Sequence, residues 1–306
     1  MNGKKWTRRT TRGIAQQLPD YGISISARTV ARLLSANGYA LRVNHKKLAG
    51  ADHPLRSAQF KMIEALRERC VRQNIPLISI DTKKKELVGR FRNQGATWSK
   101  QPELVNDHDF RSMAEGIAVP YGIYDVMANL GSIYVGKSSD TPQFAAECVA
   151  RWWKTEGQAR YPEATELVIL ADSGGSNGCR PHAWKYFLQQ LLANDCNLQV
   201  RVAHYPSGTS KWNPIEHRLF SEVSKHWAGV PLESFEVILK YLNTTKTSTG
   251  LRVSASMVEK EYEKGIKIPQ CEMDQLNITK DPDIPSWNYL IAPQPSNMTE
   301  HRRCLN

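Results

Sequence analysis

"LVILA" is apolar at every position and then ends on a carboxylate, Asp172, and the largely apolar "PLISI" likewise runs into Asp81. Strands with no polar alternation are buried on both faces, inside a parallel or mixed sheet. Carboxylates at their C-terminal ends lie where such sheets place ligands. "NLQVRVAHY" predicts a further strand, "GIYDV" and "GSIYVG" predict extended segments, and "ELVGRF" predicts the return strand of a hairpin after Asp81. The period becomes helical in "TPQFAAECVARWWKTEG", with Thr141 as its cap, and again near residues 181–194. A last helix begins near Asn213–Pro214, since proline is tolerated in a first turn. Its stripe of Leu219, Phe220, Val223 and Trp227 packs on the sheet, and Glu216 lies in line with that stripe. A glutamate aimed there is costly unless it is paired or binds a metal. Asn213 shares its face, three residues earlier.

The N-terminal pattern is different. "TTRGIAQQL" places Ile14, Ala15 and Leu18 on one helical face, and "SISARTVARLLSANGY" offers Ser26 as a cap, Val30, Leu33 and Leu34 as a stripe, and Gly38 as a stop. Two short helices joined by "PDYGIS" resemble a helix-turn-helix, whose second helix enters the DNA major groove. Charge sharpens this reading. Residues 1–50 hold ten Lys/Arg against one acid, Asp20, a net of +9 out of +11 for the whole chain. A basic head on a near-neutral body suits a polyanion, most simply double-stranded DNA. Arg8, Arg9, Arg12, Arg28, Thr29 and Arg32 are its expected contacts. The expected organisation is a basic segment over 1–50, a linker helix within 51–75 that acts as a spacer, and a catalytic domain with a C-terminal extension over 76–306.

Composition narrows the remaining classes. No apolar run approaches the roughly 18 residues of a membrane span, and the basic N-terminus lacks the apolar stretch of a secretion signal. Six scattered cysteines form no CxxC pair, as expected of reduced thiols in a cytoplasmic protein.

The order strand–Asp, strand–Asp, helix–Glu is that of an RNase H-like fold, an α/β mixed sheet flanked by helices that gathers three acids at one edge. Asp81, Asp172 and Glu216 are the candidate catalytic acids and metal ligands. Phosphodiester hydrolysis or transfer by hard cations needs oxygen donors. Two Mg²⁺ ions, with Mn²⁺ able to substitute, would activate the attacking oxygen and steady the leaving one. Gly174 and Gly175 let backbone and metal approach each other. Asn213, His217, Gly174, Gly175, Asn177 and Lys211 are expected around the acids or against substrate. His204 is weighed beside His217, Lys83–Lys85 as a phosphate contact or a solvated hairpin face, and Asp125 as a mid-strand structural acid.

Five motifs carry a resemblance over nearly the whole chain: "SIDTKKKELVGRFRNQGATW", "YGIYDVMANLGSIYVGKSSDTPQFAAECVARWW", "ADSGGSNG", "GTSKWNPIEHRLFS" and "YEKGIKI". In this order they resemble the DDE transposases of the bacterial insertion-sequence family ISAzo-thirteen. The resemblance implies an RNase H-like catalytic domain, divalent metal, and cutting and joining at the element's own ends. It also implies self-association on DNA and a nucleoid-associated location. Motif matching assigns Asp81, Asp172 and Glu216 as the catalytic acids. Members are generally longer at the N-terminus, so the basic head is expected to be part of a larger DNA-binding region. They more often carry three glycines after the second acid, where this chain has Ser173 first. A catalytically silent DNA-binding protein and a related RNase H-like nuclease stay open as alternatives. Loss of an acid would mark the first, and absence of strand joining the second.

Overall fold

The computed structural model describes residues 7, 9–42 and 53–295. Arg8 and Cys304 lie outside them. The chain divides into two compact units, Met1–Gly50 and Ala51–Asn306.

In the first unit, α1 (Thr11–Gln17) is capped by Thr10, whose hydroxyl accepts from the Gly13 N–H at 3.0 Å. A 3₁₀ turn over Leu18–Tyr21 ends at Gly22 with φ +72°, a left-handed position that suits glycine. α2 (Ala27–Ala36) is capped by Ser26, which accepts from the Thr29 N–H at 3.2 Å. Val30 is buried as its stripe predicts. Leu33 departs from the expectation and is 45% exposed, because the two helices cover only one line of that face.

The second unit is built on one sheet of nine strands: β1 (Leu77–Thr82), β2 (Glu86–Val88), β3 (Gly116–Asp125), β4 (Leu130–Gly136), β5 (Glu166–Asp172), β6 (Gln199–Tyr205), β7 (Arg252–Val258), β8 (Ile278–Lys280) and β9 (Asn288–Ile291). The order across it is β7-β4-β3-β1-β5-β6-β9-β8, with β2 paired to β3. β1, β3 and β4 form an antiparallel meander, and β5 and β6 run parallel to β1. That five-strand centre is RNase H-like. The return after Asp81 is not the expected hairpin: β2 pairs with the start of β3 rather than with β1.

Six helical segments and their continuations cover the sheet. They are α3 (Arg56–Gln73), α4 (Pro142–Trp152) running through a π-turn into α5 (Gln158–Arg160), α6 (His182–Leu188) extended by a π-turn over Gln189–Asn194, α7 (Ser221–His226) preceded by a π-turn over Glu216–Phe220, and α8 (Phe235–Thr244). A short α9 (Gln270–Met273) follows. Side chains alternate along a strand, and that alternation sorts the core. Ile78, Ile80, Ile169 and Ala171 face α4 and α6. Val168 and Leu170 face the other way, with Ile63 and Leu66 of α3. α3 is therefore not a spacer. Its buried Gln59 donates to the His204 carbonyl at 2.9 Å and to Asn288 Oδ1 at 2.8 Å, fastening the helix to the seam between β6 and β9.

Candidate active site

The alternation that buries Ile78 and Ile80 on one face sends Ser79 and Asp81 to the other. Val168 and Leu170 likewise put Asp172 on the α3 side. β1 and β5 are adjacent and parallel, with Ile80 opposite Ala171, so the two aspartates follow side by side at the strand ends. The helix that carries Glu216 arrives on that same face. Gly122, the register partner of Asp81, and Gly131 make room for it: a Cβ at Gly122 would collide with Phe220 and Ile215, and one at Gly131 with Leu219. The hydrophobic pattern shows that this helix packs, but not that it needs bare backbone beneath it.

A buried polar network fixes the helix relative to both strands. Ser79 Oγ donates to Asn213 Oδ1 at 2.5 Å and accepts from the Ile215 N–H at 3.0 Å. With its carbonyl oxygen so committed, Asn213 turns its Nδ2 to the Ile80 carbonyl at 3.2 Å and to Asp172 Oδ1 at 3.1 Å. The Glu216 N–H bonds the Asn213 carbonyl at 3.1 Å. Ser79 and Asn213 have no solvent exposure. Ser79 is the residue that sequence reasoning missed; its one signal is a hydroxyl inside an otherwise apolar strand.

The acids themselves are poorly neutralised. Asp81 accepts from the Thr82 N–H at 2.8 Å, and Thr82 in turn donates its hydroxyl to Asp140 at 3.1 Å. Burial, then repulsion from Asp172, pushes the Asp81 carboxyl up to about 8, with Glu216 and Asp140 adding to the rise. Burial and the charge of Glu216 raise Asp172 to about 6 against the opposing bond from Asn213. The three acids thus feel one another's charge. Among the described residues, no three acidic, His or Cys side chains close around a single point. The donor set is an open edge of hard oxygens with no cation in contact. It fits divalent ions that keep water and phosphate among their ligands.

The surrounding residues divide. Gly174 and Gly175 are exposed in the loop after β5, and Gly175 adopts φ +76°. Asn177, in the same loop, is buried, and its Nδ2 has no hydrogen-bond partner among the described residues. Lys211 and His217 are exposed, and the His217 ring contacts the Lys211 carbonyl. His204 is fully buried, bonding the Asp172 carbonyl through Nδ1 at 2.9 Å and the Tyr289 hydroxyl through Nε2 at 3.1 Å. Burial lowers it to about 4, so the neutral ring props the Asp172 backbone. Lys83 points inward: it pairs with Glu86 at 3.0 Å and lies 4.6 Å from the Trp227 ring centroid, which removes it from phosphate contact. Lys84 and Lys85 are exposed. Asp125 is the last residue of β3 rather than a mid-strand one, and it is paired with Arg160 at 2.8 Å. In the head, Arg9, Arg12, Arg28 and Arg32 are exposed, whereas the Thr29 hydroxyl is engaged with Ser26 at 3.0 Å.

Among solved structures, the chain is similar to a Mos1 transposase paired-end complex with left transposon end, at 16% identity and TM-score 0.46, over 79% of this chain and 72% of that one. A Mos1 mariner paired-end complex with Mg matches at 14% and 0.46 over the same shares, and a Mos1 strand transfer complex at 16% and 0.45, over 76% and 64%. No curated protein matches the chain. A family model described as the Rhodopirellula transposase DDE domain matches residues 1–293, nearly the full length. The chain belongs to that family, the DDE transposases to which its five motifs point.

Proposed function

We propose that this transposase binds the ends of its element and cuts and joins DNA at the edge formed by Asp81, Asp172 and Glu216. One observation carries the reading. Two carboxylates end adjacent parallel strands with no cation beside them, and the helix bearing the third acid is locked to both strands through Ser79 and Asn213. A structural acid has no need to be left so exposed to like charge.

Asp81, Asp172 and Glu216 would hold divalent ions, two in number. Mg²⁺ or Mn²⁺ would acidify the attacking hydroxyl or water and offset charge on the leaving oxygen. Asn213 keeps one oxygen of Asp172 bonded to a neutral donor and leaves the other for the ion. In cleavage, a water oxygen bonds to phosphorus, the bond from phosphorus to the 3′ oxygen breaks, and that oxygen leaves as a 3′ hydroxyl. In joining, this hydroxyl displaces an oxygen of a target phosphodiester, so one P–O bond forms as another breaks and no outside energy is needed. DNA is the partner, with exposed Arg9, Arg12, Arg28 and Arg32 of the head reading an element end.

The test is a strand-transfer assay with labelled element-end DNA and a target plasmid in Mg²⁺ or Mn²⁺. Joined product that vanishes in Asp172→Asn supports the reading. Nicking without joining would favour a nuclease, and binding alone a silent copy.

A further inference from the structure

Beside the acids lies a second feature that the chemistry above does not use. The C-terminal ends of β5 and β6 open into a cleft of about 710 Å³ that begins at Ser173, the residue after Asp172. Its far wall is the connection from β8 to β9, which overlies this edge because β9 runs antiparallel to β6. A crevice outside the carboxyl ends of parallel strands is where open α/β sheets hold ligands.

The lining has one sign. Arg180, Lys185 and Lys280 border the cleft, and among the described residues no acidic side chain does. Among the described residues, none of the three has a carboxylate partner, whereas Arg69, Arg160 and Arg201 elsewhere in the unit all do. Asp281, next to Lys280 in the chain, is occupied by the N–H groups of Asp283 at 3.0 Å and Ile284 at 2.8 Å, and Asp172, next to Ser173, accepts from Asn213 at 3.1 Å. Lys185 donates one N–H to the Cys179 carbonyl at 2.6 Å and keeps two for a ligand. Ser173 and Ser207 lie on the floor with hydroxyls 3.1 Å apart. Cations that lack carboxylates, hydroxyl donors and bare glycine backbone are the donor set for phosphate oxygens.

We infer that this cleft holds the phosphodiester backbone of the DNA strand next to the bond being cut, with Arg180, Lys185 and Lys280 as its phosphate contacts. The inference rests on the reading of Asp172 for the cleft's place in the reaction, but not for the binding itself. It gives the catalytic unit a grip on DNA separate from the basic head, and it sets the strand's course past the acids.

Two measurements on the 306-residue chain test it. The first is the salt dependence of binding to a labelled random-sequence duplex. Each of Arg180→Ala and Lys280→Ala, both exposed and without a hydrogen-bond or ion-pair partner among the described residues, should flatten the slope of log affinity against log salt by about 0.9, with an unchanged melting temperature. The second maps lysine acetylation by mass spectrometry. Duplex DNA should shield Lys280 and Lys185, and inorganic phosphate at equal phosphate concentration should not. Unchanged slopes, equal acetylation with and without DNA, or shielding by free phosphate alone would each overturn the proposal. Asp172→Asn separates the two readings: it should keep the wild-type slope and shielding. A wild-type chain that shields these lysines yet joins no DNA would break the functional reading and leave the cleft standing.

Discussion

Carboxylates stand at the C-terminal ends of three strands in this molecule, and they are treated in opposite ways. Asp125, at the end of β3, is 1% exposed and satisfied on every side. Arg160 donates to it at 2.8 Å, the Tyr161 hydroxyl at 2.9 Å, and the N–H groups of Met127 and Ala128 at 3.1 and 3.0 Å. Asp81 and Asp172, at the ends of β1 and β5, have one neutral donor each and face one another. A buried acid with its cation in place holds the fold together. A pair of acids without one leaves a charge deficit that only protons or metal ions can fill. The same residue type at the same kind of position is thus structural in one case and suited to chemistry in the other.

The sharpest way to break this comparison is to neutralise one acid at each end. Asp81→Asn should bring joined product to background while the metal-free protein melts no lower than wild type, since it relieves repulsion. Strand transfer and calorimetry on one preparation check both halves. Asp125→Asn should do the reverse. Removing one partner of a buried pair costs about 3–5 kcal/mol, read from denaturant unfolding, and the fraction that remains folded should transfer strands normally. Equal loss of activity in both variants at equal stability would end the distinction.

Smaller effects refine it. Asn213→Ala removes the donor that orients Asp172, and lost outer support for a ligand typically weakens metal binding about 10–100-fold. Calorimetric titration with Mn²⁺ would read that change without any DNA present. Ser79→Ala frees the Asn213 amide to flip and strands the Ile215 N–H, at a cost of about 1–3 kcal/mol, with a weaker effect on Mn²⁺ affinity.

A separate effect, confined to the metal-free protein, is in pH. A carboxyl whose folded value is raised favours folding in its protonated form, so the stabilisation is complete below the ordinary value of 3.8 and is lost as pH rises. Metal-free protein should therefore lose stability through Asp172 up to about pH 6 and through Asp81 up to about pH 8. Asp81→Asn should flatten the upper part of that slope, and saturating Mg²⁺ should flatten all of it by replacing the protons.

Much of this was legible in the chain itself. Apolar runs marked β1 and β5 as interior strands, and the carboxylates that follow them stood out against those runs. Thr141 and Ser26 cap helices, as read from the sequence, through short-range bonds that depend only on neighbours. The family was likewise carried by the order of local motifs.

What the sequence by itself determined was local: periodicity, caps, the types and order of the acids, and the charge of the head. Only the tertiary structure decided which elements meet. It paired β2 with β3 instead of β1, because a short strand joins whichever edge is free. It turned α3 from a spacer into a cover for the sheet through Gln59, whose partners lie at positions 204 and 288. It gave Asp125 an arginine and Lys83 a glutamate and a tryptophan ring, withdrawing both from the surface. It also revealed Ser79 as the hinge of the polar network and Gly122 as the gap beneath Phe220. Hydrogen bonds and steric gaps between residues far apart in the chain leave no periodic trace, so they become readable only once the strands lie side by side.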